Sequence, residues 1–200
     1  MKHIVFVDHK NSRSILAVPG KSHITLLTRW VNDPDIRQFL LRFSPLMLQG
    51  EEAWLSRMSE GLTGRNAFTD MMLLIIEKQT NHPIGTIGLH QVDWKNRHAL
   101  TGTLIGEKKL WGKGLGTDAK MLLLNWAFNE LGLNSIESHV IEFNKRSAAY
   151  SIKCGYKEAG RLHQRHFRDG TYHDDILLEV LADEWRPLWK KFQEGTFHKK

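Results

Sequence analysis

The chain has 200 residues, 41% of them hydrophobic and 25% charged, which are the proportions of a globular protein and not of a disordered one. Its 28 Lys and Arg outnumber 22 Asp and Glu, giving a formal net charge of +6 and a pI near 9.5. That balance admits an anionic partner without choosing among nucleic acid, a membrane surface and a phosphate-rich cofactor, while the single cysteine, Cys154, excludes an internal disulfide and any multi-cysteine metal site.

The opening residues carry too short an apolar run for a signal peptide. The most apolar stretches, residues 71–76 and 121–124, fall well short of the roughly 20 residues of a membrane span, so a cytoplasmic protein is expected. Residues 14–18 read as a strand stopped by Pro19-Gly20. Ile24, Leu26, Leu27, Trp30 and Val31 then recur at helical spacing until Asn32-Asp33-Pro34 breaks the helix. A second helix is expected over residues 51–60, with Trp54, Leu55 and Met58 on one face and Gly61 past its end. Residues 71–76, 84–92 and 100–105 read as three strands separated by the turn signals Asn81-His82-Pro83 and Asp93-Trp94-Lys95-Asn96-Arg97, an antiparallel meander. A glycine-rich loop leads into a helix over about residues 117–130, a strand at 136–141 and a short helix at 145–153. A hairpin follows, with strands at 158–167 and 172–181 joined at Arg168-Asp169-Gly170, and residues 183–192 form one more helix despite Pro187. With no repeat and no linker, this is one mixed α/β (α+β) domain over residues 1–200. Its sheet is mostly antiparallel, flanked by helices, with one parallel βαβ crossover.

The most informative segment is Leu104 to Thr117, where Gly112, Gly114 and Gly116 alternate just before a helix. Without Cβ atoms they let the backbone bend tightly and bring successive N–H groups to a ligand. The helix start adds unpaired donors and partial positive charge, and Lys113 adds a full one. The result is a cradle for phosphate or pyrophosphate, to be weighed against a glycine-rich turn that binds nothing. A Walker loop does not fit, because Gly112-Lys113 is followed by Gly114. The dinucleotide fingerprint needs a glycine where Thr117 stands.

With its flanks, residues 99–128 around Trp111-Gly112-Lys113-Gly114-Leu115-Gly116-Thr117-Asp118-Ala119 resemble motif A of the GNAT acetyltransferases. Asn144-Lys145-Arg146-Ser147, leading to Lys153-Cys154-Gly155-Tyr156, resembles that superfamily's Asn…Ser…Lys-x-Gly-Phe helix. Residues 168–174 resemble the hairpin that follows it. Trp30-Val31-Asn32-Asp33-Pro34 resembles a segment of the branch that holds ribosomal-protein N-terminal, polyamine and some antibiotic and amino-sugar acetyltransferases. The resemblance implies acetyl-CoA as donor, bound by a core over about residues 99–182, with the acceptor side over about 14–98. It places the pyrophosphate on the amides of Gly112, Lys113, Gly114, Leu115, Gly116 and Thr117. It pairs the pantetheine arm with Leu104, Ile105 and Gly106, and brings Asn144 and Ser147 to the cofactor. Trp111 stands where the family often has Gln or Arg, an aromatic substitution this branch often carries.

The implied reaction is direct attack of a neutral amine on the thioester, which needs a base, an oxyanion site at Leu104–Ile105 and an acid for the thiolate. The family's acid is often a Tyr seven residues after the motif Asn. Here that position is Ser151, and the tyrosine is Tyr150, about 100° away around a helix and equally readable as a packed aromatic. Glu137 and His139 share one face of a strand and are candidate bases, although His139 also reads as an ordinary strand histidine; Glu142 is a third candidate. His163 and His166, three apart in a strand, fall on opposite faces, so a solvated edge is expected and no metal site. Cys154 reads as a small core residue. Trp30, Trp54 and Trp94 are compatible with an acceptor wall or with packing.

The expected partner is a small-molecule or peptide amine, with no membrane partner and a homodimer allowed. Two other readings stand beside it. One is an acetyl-CoA-binding module without catalysis, suggested by the displaced tyrosine. The other is a nucleic-acid-binding domain, suggested by the charge and the basic and aromatic stretch at residues 161–168, but no recognised motif accompanies it.

Overall fold

The computed structural model describes residues 3–41, 45–50, 52–53, 56 and 68–198. Among them an eight-stranded sheet runs in the order β1-β2-β3-β4-β5-β6-β8-β7. The strands are β1 (Val5–Val7), β2 (Ser14–Ala17), β3 (Met71–Glu77), β4 (His82–Asp93), β5 (His98–Ile105), β6 (Ser135–Ile141), β7 (Lys157–Arg168) and β8 (Thr171–Leu181). Helices α1 (Ile24–Asn32) and α2 (Pro34–Arg37) follow β2, α3 (Leu115–Asn125) follows β5, α4 (Lys145–Lys153) follows β6, and α5 (Ala182–Gln193) follows β8. All neighbouring strands are antiparallel except β5 and β6, which are parallel and joined through α3, the expected crossover.

Alternation along β2 and β3 explains the layers. Leu16, Leu73 and Ile75 pack on one face with α3 and α5, whereas Ile15, Ala17, Leu74 and Ile76 pack on the other with Leu27, Trp30 and Ile36 of α1 and α2. A strand covered on both faces needs no polar residue in its middle, which is why residues 71–76 are continuously apolar. Burying each such side chain contributes about 1.5–3 kcal/mol.

Three segments differ from expectation. Val5–Val7, unassigned from sequence, forms an edge strand on β2 with a register shift. The helix after the glycine loop starts earlier, at Leu115, and changes to a π turn over Trp126–Glu130 that buries Trp126 and Phe128. The helix expected over residues 51–60 lies outside the described residues except for Glu52, Ala53 and Ser56. Among the described residues no helix is long and apolar enough to cross a membrane.

The sheet is split between β5 and β6. β5 and β6 pair only at His98↔Ser135, Ala99↔Ile136 and Leu100↔Glu137. Beyond that point β5 continues on β4 to Ile105, and β6 continues on β8 to Ile141. The two parallel strands therefore part like the arms of a V. At the fork Thr101 Oγ1 donates to the Glu137 carbonyl at 3.1 Å, replacing the next rung of the ladder.

Candidate active site

A cavity of about 930 Å³ fills the V. Leu104 and Ile105 of β5 form one arm, His139 of β6 the other, and Gly112, Gly114, Leu115, Gly116 and Thr117 close one end. Trp111, Asn144, Ser147 and Tyr150 complete the wall, so twelve of the fifteen site residues expected from sequence meet around one space.

The glycine loop is shaped as its composition predicts. Gly112 (φ 76°) and Gly114 (φ 82°) occupy the left-handed region that disfavours a Cβ, and Gly114 is the N-cap of α3. No side chain caps that helix start, so its first amides are left for a ligand. Arg146 and Lys153 add positive charge to the wall, and no Asp or Glu lines the cavity among the described residues. A cradle of amides and cations without carboxylates fits the pyrophosphate and 3′-phosphate chemistry of a CoA ester.

Trp111 ties the loop to β5. Its indole N–H donates to the Ile105 carbonyl at 2.7 Å, and the Arg146 guanidinium stacks 3.9 Å from its ring centre. Asn144 caps α4, its Oδ1 accepting the Ser147 N–H at 3.2 Å.

Gly106, Lys113 and Glu137 do not line the cavity. A Cβ on Gly106 would overlap the Trp30 ring, so this glycine serves the packing of α1 on the end of β5. Trp30 is buried, with its indole N–H on Glu107, and Trp94 donates to the Phe68 carbonyl. Both tryptophans are packing residues, and Trp54 lies outside the described residues. Asp33 caps α2 and pairs with Lys108, which joins the Asn-Asp-Pro turn to the segment before the glycine loop. The Lys113 side chain is exposed while its carbonyl accepts from Arg13. Glu137 lies opposite Leu100, where the strands are still paired, and its side chain is 41% exposed.

His139 lies past the fork. Its Nδ1 is 3.0 Å from Asp175 Oδ2, a carboxylate only 4% exposed. Asp175 lies opposite Ile141 and Leu177 opposite His139 in the β6–β8 ladder, so Asp175 and His139 are diagonal neighbours on one face. A bulge in β7 between Leu162 and His166, with Gln164 at φ 52°, rotates His166 inward. His166 is therefore not on a solvated edge. It is 13% exposed and 3.5 Å from the other Asp175 oxygen, whereas His163 stays exposed beside Asp174. Glu142 is engaged by His173 at 3.1 Å.

On α4 the tyrosine faces the cavity and Ser151 does not. Ser151 is fully buried and its Oγ finds no partner. Cys154 is buried in the core, where desolvation pushes its thiol up to about 12, so it is no nucleophile. Asp175 and Lys120 were not singled out from the sequence, because nothing local distinguishes them from solvated charges.

Residues 13–157 match the family described as Acetyltransferase (GNAT) domain. The chain belongs to the GNAT acetyltransferases. It is 35% identical over 101 residues to the Bacillus subtilis (strain 168) protein named "Putative ribosomal N-acetyltransferase YdaF", covering 50% of this chain and 55% of that one. It is 25% identical over 111 residues to the spermidine N(1)-acetyltransferase of Vibrio cholerae serotype O1, covering 56% of this chain and 64% of the relative. The GNAT chain thus spans little more than half the length of these curated relatives. Among solved structures, the Vibrio cholerae spermidine N-acetyltransferase in complex with CoA and spermine superposes with a TM-score of 0.76 at 18% identity, over 87% of this chain and 98% of that one. A structure described as a probable acetyltransferase reaches a TM-score of 0.77 at 23% identity, over 90% and 99%. These likenesses are of fold, and they bear out the mixed sheet with one parallel pair.

Proposed function

We propose that the chain is an N-acetyltransferase that moves the acetyl group of acetyl-CoA to a primary amine by direct attack, the acceptor being a peptide N-terminus or a small amine of low positive charge. The whole chain is read as one catalytic domain, with the donor on residues 99–182 and the acceptor on 14–98. The observation that carries the reading is the fork between β5 and β6, which opens onto the glycine cradle and has His139 and Tyr150 on its walls.

When bound, acetyl-CoA would supply an activated acetyl group. The chain's own residues divide the remaining work. Gly112, Gly114, Leu115, Gly116 and Thr117 bind phosphate through backbone N–H groups, with Arg146 and Lys153 adding charge. The unpaired edge of β5 at Leu104 and Ile105 offers backbone donors to the arm and to a developing oxyanion. His139, oriented by Asp175, takes the proton from the ammonium, because only the free amine is a nucleophile. Tyr150 gives a proton to the departing sulfur.

The comparisons point to two acceptors, since one relative is named as ribosomal and the other acts on spermidine. A polyamine site needs carboxylates. Among the described residues, the cavity wall taken here as the acceptor end has Ile36, Phe39, Leu40, Leu46 and Met72, with His90 as a titratable group. That lining favours an apolar N-terminal peptide over a polycation.

The test is thiol release from acetyl-CoA across N-terminal peptides, polyamines, aminoglycosides and amino sugars. Turnover with peptides or neutral amines above that with polyamines is expected. CoA binding without thiol release on any amine would replace this reading with that of a binding module.

A further inference from the structure

We propose that Lys120, buried beneath the fork, is a positioning residue for Tyr150: its ammonium holds the phenol at the cavity wall and stabilises the negative charge that forms on the phenol oxygen as its proton leaves. The inference rests on the reading of Tyr150 as the acid.

Lys120 is fully buried in the middle of α3, among Ala119, Met121, Leu122 and Leu123. A buried ammonium without a counter-ion is costly, and a methionine or leucine would fill the same volume at no such cost. The adjacent carboxylate on α3, Asp118, is held by Arg13 and His198. The contacts of its ammonium are with formally neutral groups: Thr101 of β5 at 2.7 Å and the rings of Tyr156 and Tyr150 at 5.2 and 5.6 Å. Burial works against the ammonium, while the phenol and thiol groups beside it favour the charged form, and the net direction is upward.

The hydrogen bonds separate the two phenols. Thr101 gives its own proton to the Glu137 carbonyl and accepts from Lys120 Nζ at 2.7 Å. The Tyr156 hydroxyl, 3.0 Å from the same Thr101 oxygen, must therefore donate to it, and its proton is committed to the core. Tyr156 is buried away from the cavity, where desolvation pushes it up to about 12. Lys120 Nζ lies 5.6 Å from the Tyr150 ring centre and 5.2 Å from that of Tyr156, and of the two rings Tyr150 lines the cavity. Of the two phenols beside the buried cation, Tyr150 is the one with access to a ligand.

The step balances. The amine nitrogen bonds to the acetyl carbon, the carbon–sulfur bond breaks with its electron pair on sulfur, and sulfur takes the Tyr150 proton. The amine gives up two protons, by way of His139, to water, and water returns one of them to the phenolate beside Lys120. The net products are amide, thiol and one proton.

A double-mutant cycle with Lys120→Met and Tyr150→Phe tests this, read as kcat and, by calorimetry, as the preference for CoA over desulfo-CoA. Tyr150→Phe should lower kcat by about 10²-fold, the low end for loss of a general acid because a thiolate leaves readily. Lys120→Met should lower kcat by about tenfold or more and add nothing in the Tyr150→Phe background, as expected for residues that act as a unit. Affinity for desulfo-CoA should hold throughout, while the preference for the thiol falls in each single variant and no further in the double. Lys120→Gln keeps a donor without the charge and replaces Lys120→Met should the latter not fold; its kcat should also fall. Wild-type kcat in a folded Lys120 variant, or losses that multiply in the double, overturn the role of Lys120 alone. Full kcat in Tyr150→Phe instead removes the acid and, with it, this inference.

Discussion

Asp175 sits between two imidazoles, with His139 at 3.0 Å and His166 at 3.5 Å, and is almost fully shielded from water. A carboxylate at Nδ1 favours the tautomer that carries its proton there, so that Nε2, 3.9 Å from Glu137 Oε2, is the nitrogen that would accept one. His139→Ala should lower the acetyl-transfer rate by about 10²-fold near neutral pH and recover part of the loss at high pH, where solvent alone frees the amine. Asp175→Asn should follow the same profile with a smaller loss, because the ring remains but its orientation is relaxed. A pH–rate profile of His139→Ala that overlays the wild type would move the base to a water chain.

Among the elements, the glycine loop and α4 carry the sharpest tests. A Cβ on Gly112 meets nothing within 4 Å, so Gly112→Ala isolates the backbone term, about 1–2 kcal/mol for a left-handed residue. Gly114→Val combines that strain with a clash, since a Cβ there stands 2.6 Å from the Arg13 guanidinium. CoA titrations should show weaker binding for both, with the larger loss for Gly114→Val, and thermal melting should show only Gly114→Val loosening the N-terminal segment. CoA affinity unchanged in folded Gly114→Val would exclude the loop as the cradle. For α4, helical bounds of Lys145–Lys153 were legible from the sequence, but its rotation about its axis was not. Neighbouring positions differ by about 100°, and what sends Ser151 to the core and Tyr150 to the cavity is the packing of α4 on α3 and β6.

Over the whole molecule, Asp118 joins distant parts of the chain. Its buried carboxylate is contacted by Arg13 Nε at 2.8 Å and by His198 at 2.8 Å, which fastens the segment before β2 and the C-terminal tail to the first turn of α3. Asp118→Ala should destabilise by about 2–3 kcal/mol in denaturant melts, less than for a fully buried pair because half of Arg13 faces solvent. Stability should also depend on pH. Burial holds His9, His23 and His198 below the ordinary value of 6.5, so the unfolded chain binds their protons first. Stability is then full above 6.5 and falls as pH drops below it, and His23→Gln should flatten that slope in melts between pH 7 and 5.

The order of most strands and helices, the crossover and the glycine loop were legible in the sequence, because periodicities of 2 and 3.6 and the freedom of glycine are local properties. It could not yield β1, too short to show a pattern, or the inward turn of His166, which a bulge creates. It left Glu137 and His139 equivalent, since they share a strand face; the fork after Leu100 and Glu137 is what separates them. The contacts of the proposed site come from the packed fold alone. Asp175 reaches His139 across 36 residues through the β6–β8 register, and Lys120 reaches Thr101 across 19 through the crossover. A charged side chain looks alike in sequence whether water or a phenol surrounds it, and only the packed fold removes the water.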